Sequence, residues 1–517
     1  MSVPVQPAIK PYRSGTRTGD NAHFSTQNEY YRLKLYFLLA AAAAVRLWVM
    51  PITSGLWLDE TTTYWSAYKG IGAAISRSQF WPGQNVLYSV IAAIAIRLGG
   101  HSEVVLRLPS LLAAFGTAWF LFRLGERFFD RETAALSLVV FASLQSMFET
   151  AANARPYSLG LLFVVASTWQ LVKWLDSGRT RDMLLYALLA AAVPYFHYLF
   201  ATIFIVHAIY AVYRVRREAR RQFWELALAI VAVVALLSPL VWNATRGKHI
   251  STASSFTSTP DFEKLFSSGM PAVLGTGIFL GLLLGYSLQR KLKAENVVAP
   301  SPDTLLLLTT WFVVPIVTLF AVSRWSEFKV FVPRYYLPAS PALALLVGWG
   351  IRNISEKVRV VVSACVVVTA ISAFGTHHFW VNPYLEDWRR AAKEVQAANL
   401  DPHTPVLVRT GLIETAKPTW DVELDRDSPL LAPLAKYPVP GRILLVPSGL
   451  NEPSVRYMND LSSKLLDSSA EFVYLTRDLG DPFEAWLSGR FSGRGFTVRK
   501  LGHADGVSVF LFQRRPS

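Results

Sequence analysis

Long apolar runs alternate with short polar connectors along most of the chain. Runs of about 18 residues or more cross about 30 Å of hydrocarbon as a helix, and they recur at 35–52, 223–242, 305–322 and 358–374. The connectors that carry Arg123, Arg127 and Arg131, then Arg179 and Arg181, then Arg214, Arg216, Arg217, Arg220 and Arg221, then Arg290, Lys291 and Lys293, and finally Arg352, Lys357 and Arg359 are strongly basic. The positive-inside rule places all of them in the cytoplasm, which gives about eleven crossings. The expected spans are 35–52, 107–124, 133–150, 157–175, 183–196, 199–213, 222–242, 271–288, 304–322, 335–351 and 358–375. Val86 to Leu98 is also apolar, but counting it as a crossing would invert every later basic loop. It reads as a surface or partly inserted helix within a long first outer loop.

From about residue 376 the pattern changes. Short β-like runs at 405–408, 443–446 and 472–475 alternate with helical stretches at 385–399, 451–466 and 481–491. Residues 497–499 and 507–512 are expected to pair as a hairpin around Asp505-Gly506. Alternating strand and helix predicts a small α/β domain. The fold class is therefore a polytopic α-helical membrane protein with a C-terminal extracytoplasmic α/β domain. The expected boundaries are a cytoplasmic tail at 1–33, a membrane domain at 34–375 with its first outer loop at 53–106, and the α/β domain at 376–517.

Composition agrees: of 517 residues, 52% are hydrophobic and 13% aromatic, with a mean hydropathy of +0.31. The net charge of +15 lies in short loops between apolar runs, which argues against a nucleic-acid-binding face. Cys365 is the lone cysteine, so no internal disulfide can form. The polar N-terminus lacks a cleavable signal pattern, and the first span reads as a retained anchor in the plasma (inner) membrane.

Candidate chemistry begins at Asp59 and Glu60, just past the first span in the stretch 57–63. Two adjacent carboxylates at the mouth of a membrane helix are costly unless water or a partner receives them. The bland alternative is a cap or a salt bridge to Arg46 or Arg107. Trp57, Tyr64 and Trp65 suit either the interface or stacking on a sugar. Arg155, Lys329 and Arg334 fall where the charge rule disfavours cations. Phosphate oxygens would explain them, and pairing with Glu149 or Glu327 is the alternative. His197 and Tyr198 occupy an outer turn, and Gln84 lies before the surface helix; each is a candidate for contact with sugar or phosphate.

These stretches resemble the GT-C glycosyltransferases of the family 39 group, which includes protein O-mannosyltransferases and bacterial lipid A aminoarabinose transferases. The resemblance rests on Leu56-Trp57-Leu58-Asp59-Glu60, Leu106-Arg107-Leu108-Pro109-Ser110 and Ala154-Arg155-Pro156-Tyr157-Ser158-Leu159. It extends to Pro333-Arg334-Tyr335-Tyr336-Leu337-Pro338 and Tyr384-Leu385-Glu386-Asp387-Trp388-Arg389. It implies an inverting hexosyl or pentosyl transfer from a polyprenyl-phosphate sugar donor to a glycan, lipid or protein acceptor on the outer face. By the same resemblance Asp59 is the general base and Glu60 a supporting or metal-associated carboxylate. Arg334, Arg155 and Lys329 then meet the donor phosphate, and Tyr335, His197, Tyr198, Trp57 and Gln84 line the substrate site. Many relatives carry an acidic residue where this chain reads Arg155-Pro156-Tyr157, so a magnesium or manganese site on Asp59 and Glu60 is left open. A transporter or lipid-sugar flippase is the competing class; such proteins show internal repeats and ionisable groups near the bilayer midplane, and neither is visible here.

Overall fold

The computed structural model describes residues 19–80, 86–218, 223–246, 258–289, 297–375, 386–416, 427–478 and 480–515. Each segment expected to cross is helical. Among the described residues, seven helices are long and apolar enough to cross a membrane by length and composition: Glu29–Thr53, Glu103–Phe128, Tyr157–Ser177, Tyr198–Arg217, Phe223–Trp242, Pro302–Trp325 and Glu356–Gly375. Four expected spans are shorter helices. Ala272–Leu288, Thr180–Phe196 and Ser340–Arg352 each form one piece, whereas the span expected at 133–150 breaks into Arg131–Ala142 and Gln145–Thr150. The N-terminal helix starts at Gly19, so part of the expected tail is helical. Val86–Gly99 is a separate helix, and its buried Tyr88 packs with Ala113, Leu159 and Phe196.

Two devices hold the helices together. Gly277, Gly281 and Gly285 form a period-four stripe on Ala272–Leu288. A Cβ at Gly281 would lie 2.5 Å from the Cα of Val362, and one at Gly277 would lie 2.8 Å from the Cα of Val366. Small residues thus bring two helix backbones into direct contact. At the end of the bundle that carries the basic connectors, Glu132 is buried and meets Arg359, Arg352 at 3.3 Å and Arg32 at 3.6 Å. Asp176 pairs with Arg127 and Arg214, and Asp303 with Arg217 and Arg214. A buried charge persists only when paired, so Glu132 ties together the helices that carry Arg32, Arg352 and Arg359.

The C-terminal region folds as expected. Its sheet has β1 (Pro405–Arg409), β2 (Arg442–Leu445), β3 (Glu471–Arg477), β4 (Phe496–Ala504) and β5 (Val507–Arg514), in the order β2-β1-β3-β5-β4. The first three strands are parallel, with Val406 opposite both Ile443 and Val473, and β5 runs antiparallel to β3. The β4–β5 hairpin turns at Asp505-Gly506, where Gly506 has a φ of +69°. Strand residues alternate between two faces. Leu407, Leu444, Phe472 and Phe512 pack under Met458 and Leu461 of helix Glu452–Ser468 and Leu487 and Phe491 of helix Glu484–Ser492. Val406, Val408, Val473 and Leu475 face the other way, against Trp388 and Val395 of helix Trp388–Ala397. That second apolar cluster continues without a break into Leu56, Trp57, Leu58 and Tyr64. The α/β domain is therefore seated on the segment that carries the acidic pair.

Candidate functional site

Asp59 and Glu60 open the helix Leu58–Ala67, where carboxylates favour the positive end of the helix dipole. Their side chains then part. Glu60 has no exposed surface. Its Oε1 accepts from Arg107 Nε at 2.7 Å and from the Ala154 N–H at 2.7 Å, and its Oε2 accepts from Arg107 Nη2 and from the Trp57 N–H at 3.3 Å. Arg107, also fully buried, further donates to the carbonyls of Pro51, Ile52, Ser54 and Gly55. One ion pair thus ties the end of the first span, the turn after it, the acidic helix and the 151–156 connector into a single block. With four donors on its two oxygens, Glu60 has no lone pair left for a metal. Its place is as the support of the site, away from any substrate.

Asp59 turns the opposite way. Its side chain keeps 26% exposure, and its Oδ2 lies 3.8 Å from Arg334 Nη1 and 4.0 Å from Arg155 Nη2. Arg155 sits in the connector pinned by Glu60, and its Nη1 also reaches the Asp59 carbonyl at 3.2 Å and the hydroxyls of Thr62 and Thr63. Arg334 lies over the Tyr335 ring at 5.4 Å. Tyr335 in turn packs against His197 in a tilted arrangement at 5.1 Å, and Tyr157 meets the same imidazole at 5.4 Å. Burial pushes His197 down to about 3, and the charges of Arg155 and Arg334 add to that shift. The imidazole is therefore neutral. Its buried Nδ1 and the buried Nε of Arg155 have no hydrogen-bond partner among the described residues. Buried polar atoms without partners are rare, and two such nitrogens near one partly exposed carboxylate mark a place where a ligand atom fits.

The remaining sequence candidates lie elsewhere. Trp57 is 4% exposed and its indole N–H is bonded to Asn153 Oδ1 at 3.3 Å, so it cannot stack on a sugar. Lys329 donates to the carbonyls of Ser323 at 3.0 Å and Ser326 at 2.9 Å, next to the end of helix Pro302–Trp325. That capping engages the ammonium expected to meet phosphate. Tyr198 is partly exposed, and no described bond joins it to Asp59. Gln84 lies outside the described residues. Among the described residues no group of three or more His, Cys, Asp or Glu side chains is placed to hold a metal ion, and the donor set of the acidic pair does not fit magnesium or manganese.

Arg107, named from the sequence as one alternative salt-bridge partner of the acidic pair, is the buried partner of Glu60. Two further residues were not singled out from the sequence. Glu386 of the α/β domain accepts the Leu58 N–H at 3.0 Å, at the start of the acidic helix, and is itself held by Arg477 Nε at 2.7 Å. Burial raises the Glu386 carboxyl, and Arg477 opposes that rise. Glu414, in the short turn Ile413–Ala416 just past β1, lies within electrostatic reach of Asp59. Nothing local in the sequence marks these contacts, because each joins residues far apart in the chain.

Residues 84–242 match the family profile described as dolichyl-phosphate-mannose-protein mannosyltransferase, a stretch that includes Arg107, Arg155 and His197. The fold is similar to the crystal structure of ArnT from Cupriavidus metallidurans bound to undecaprenyl phosphate, with a TM-score of 0.52 at 12% identity, covering 92% of this chain and 97% of that one. The apo form of the same enzyme gives a TM-score of 0.53 at 12% identity, over the same shares of the two chains. The profile match is confined to residues 84–242, and the likeness to ArnT is one of fold. No curated protein matches this chain in sequence. The likeness of fold extends over nearly the whole of both chains.

Proposed function

We propose that the protein transfers a sugar from a polyprenyl-phosphate donor to an acceptor on the extracytoplasmic face of the membrane, with inversion and with Asp59 as general base. The observation that carries this reading is the grouping of one partly exposed carboxylate with two guanidiniums and with two buried nitrogens, His197 Nδ1 and Arg155 Nε, that have no hydrogen-bond partner among the described residues. Guanidiniums bind phosphate oxygens as a fork, and here they sit where a departing phosphate needs charge stabilisation. A donor phosphate that draws Arg155 and Arg334 away from Asp59 would leave that carboxylate facing the acceptor. Asp59 then takes a proton from the acceptor hydroxyl or amine as that atom attacks the anomeric carbon. The bond to the phosphate oxygen breaks on the opposite face, and the polyprenyl phosphate leaves with the bonding pair. The ArnT structure holds undecaprenyl phosphate, which supports a polyprenyl carrier on this side of the reaction.

The test is Asp59→Asn in purified protein. Binding of undecaprenyl phosphate should persist, while transfer of labelled sugar onto an envelope extract should fall by at least about a hundredfold, the usual contribution of a general base. Turnover at the wild-type rate in this variant would remove Asp59 as the base.

A further inference from the structure

At the basic end of the bundle, carboxylates engage the guanidiniums around helix Ile203–Glu218. Asp176 takes Arg127 and Arg214, and Asp303 takes Arg214 and Arg217. Arg216 stands outside this network. It is exposed, and no ion pair joins it to any described residue. Beside it, helices Ile203–Glu218 and Pro302–Trp325 pack against each other and leave a groove of about 730 Å³. That volume falls in the range of ligand sites, about 300–1,000 Å³. Ile209 and Val212 of the first helix and Leu306 of the second line its apolar length, and Tyr213, Arg216 and Arg217 line its polar end. Ile209, Val212, Tyr213 and Arg216 follow the i, i+3, i+4, i+7 spacing, so one helix face presents apolar wall and cation in line.

The polar end of the groove is fixed in place. Asp303 stands in the first turn of helix Pro302–Trp325 and meets Arg214 and Arg217 near the end of helix Ile203–Glu218, so the two helix ends are tied across it. An apolar groove between membrane helices takes up a lipid chain, and its polar end then selects the headgroup. A zwitterionic headgroup brings its own ammonium against Arg216 and Arg217, whereas a headgroup with net negative charge does not. The groove is also remote from the Asp59 site. Helix Ile203–Glu218 begins on the His197 side, because Phe200 in the intervening turn returns its N–H to the His197 carbonyl at 3.0 Å and packs on the imidazole at 4.7 Å. Arg216 lies roughly 20 Å beyond Ile203 at the helical rise. A phosphate held there is out of reach of Arg155 and Arg334.

We propose that this groove binds an anionic glycerophospholipid from the leaflet next to the basic connectors. One acyl chain lies along Ile209, Val212 and Leu306. The phosphodiester takes a guanidinium fork from Arg216 and a hydrogen bond from the Tyr213 hydroxyl, at the depth where tyrosine favours the membrane interface. Arg217 adds positive charge while it stays paired with Asp303. Basic pockets between membrane helices recognise anionic headgroups in this manner. The bound lipid touches both helices, so it acts as a structural ligand that strengthens their contact. This site stands apart from the assignment of Asp59 and does not depend on it.

The experiment titrates phosphatidylglycerol into the full-length protein, purified in a neutral detergent, and follows it by native mass spectrometry and thermal unfolding. The first equivalent should bind saturably and raise the melting temperature, and phosphatidylcholine should bind at least about fivefold more weakly. Arg216→Gln should weaken phosphatidylglycerol binding roughly tenfold, the loss of a charge-assisted bond. Because Arg216 is exposed and outside the ion-pair network, this variant should keep the lipid-free melting temperature. Val212→Trp fills the groove without removing a charge and should weaken binding as much. Arg179→Gln, on another basic connector, should change nothing. Unchanged affinity in both groove variants overturns the proposal. An equal loss in Arg179→Gln also overturns it, since the attraction would then be diffuse. Glycerol phosphate, which has no acyl chain, should fail to compete, and effective competition by it refutes the role of the groove. Displacement by undecaprenyl phosphate at equal concentration would give the groove to the carrier lipid and overturn the assignment.

Discussion

Asp59 and Glu60 are neighbours in sequence, and the same chemical change at each should break different things. Consider Glu60→Gln. The wild-type carboxylate accepts four N–H donors on two oxygens. Glutamine offers one oxygen and one NH2, and that NH2 must face two of those donors. Arg107, fully buried, also loses its counter-charge. Breaking one side of a buried ion pair costs about 3–5 kcal/mol. At roughly 2–4 °C per kcal/mol for a cooperative unit of moderate size, the melting temperature falls by about ten degrees. Asp59→Asn removes two long contacts, 3.8 and 4.0 Å, from a side chain that is 26% exposed. Partly solvated pairs of this kind contribute about 1 kcal/mol or less, so that variant should melt within about three degrees of wild type. The assay is thermal unfolding of purified protein in one detergent, followed by tryptophan fluorescence, with sugar transfer measured on the same samples below the transition. A Glu60→Gln protein as stable as wild type would refute the structural role given to the buried pair. A comparable loss of stability in Asp59→Asn would refute the division of labour between the two carboxylates.

Three other outcomes follow from the same contacts. Arg334→Ala should weaken undecaprenyl phosphate binding by roughly tenfold or more in equilibrium titration, and an unchanged affinity would remove Arg334 from the phosphate site. Gly281→Leu forces a side chain where a Cβ would lie 2.5 Å from the Val362 Cα, and overpacking of this kind costs about 1–3 kcal/mol; Gly350→Leu, with open space at its Cβ, should leave detergent stability unchanged. Asp427 is pushed up by burial, but bonds from Lys69, Tyr68 and Arg77 hold it down at about 2, below the usual carboxyl value of about 3.9. Its stabilising contribution is thus complete above pH of about 4 and disappears as pH falls toward about 2; limited proteolysis of the α/β domain should accelerate across that window, and Asp427→Asn should show the acceleration already at neutral pH.

Most of the architecture was legible from local pattern. The apolar runs became helices near their expected limits, and the strands at 405–409, 442–445 and 471–477 match short β-branched and aromatic runs. The Asp505-Gly506 turn was readable because a hairpin requires a residue that tolerates positive φ there. The break at Ser143-Leu144 was not, since no proline or glycine signals it. The glycine stripe 277–281–285 is plain in the sequence, yet its partner helix is not. Within the site, the grouping of Arg155, Arg334 and Asp59 followed from cations placed where the charge rule disfavours them. A salt bridge to Arg107 was one alternative open in the sequence, but that Glu60 and not Asp59 takes it depends on a contact 47 positions away, and the fate of Trp57 depends on Asn153. Glu386 and Glu414 were invisible for the same reason: their meaning comes from the docking of two domains, which no local spacing encodes.

The bond between Glu386 and the Leu58 amide spans 328 positions. A nascent chain emerges from its amino end, so this amide must wait, uncapped, while a further 328 of the 517 residues are made. The surroundings of Asp59 can be completed only after the helices before the terminal domain have been made and that domain has begun to fold. Premature termination anywhere in the membrane domain would thus leave the Leu58 amide without its carboxylate acceptor.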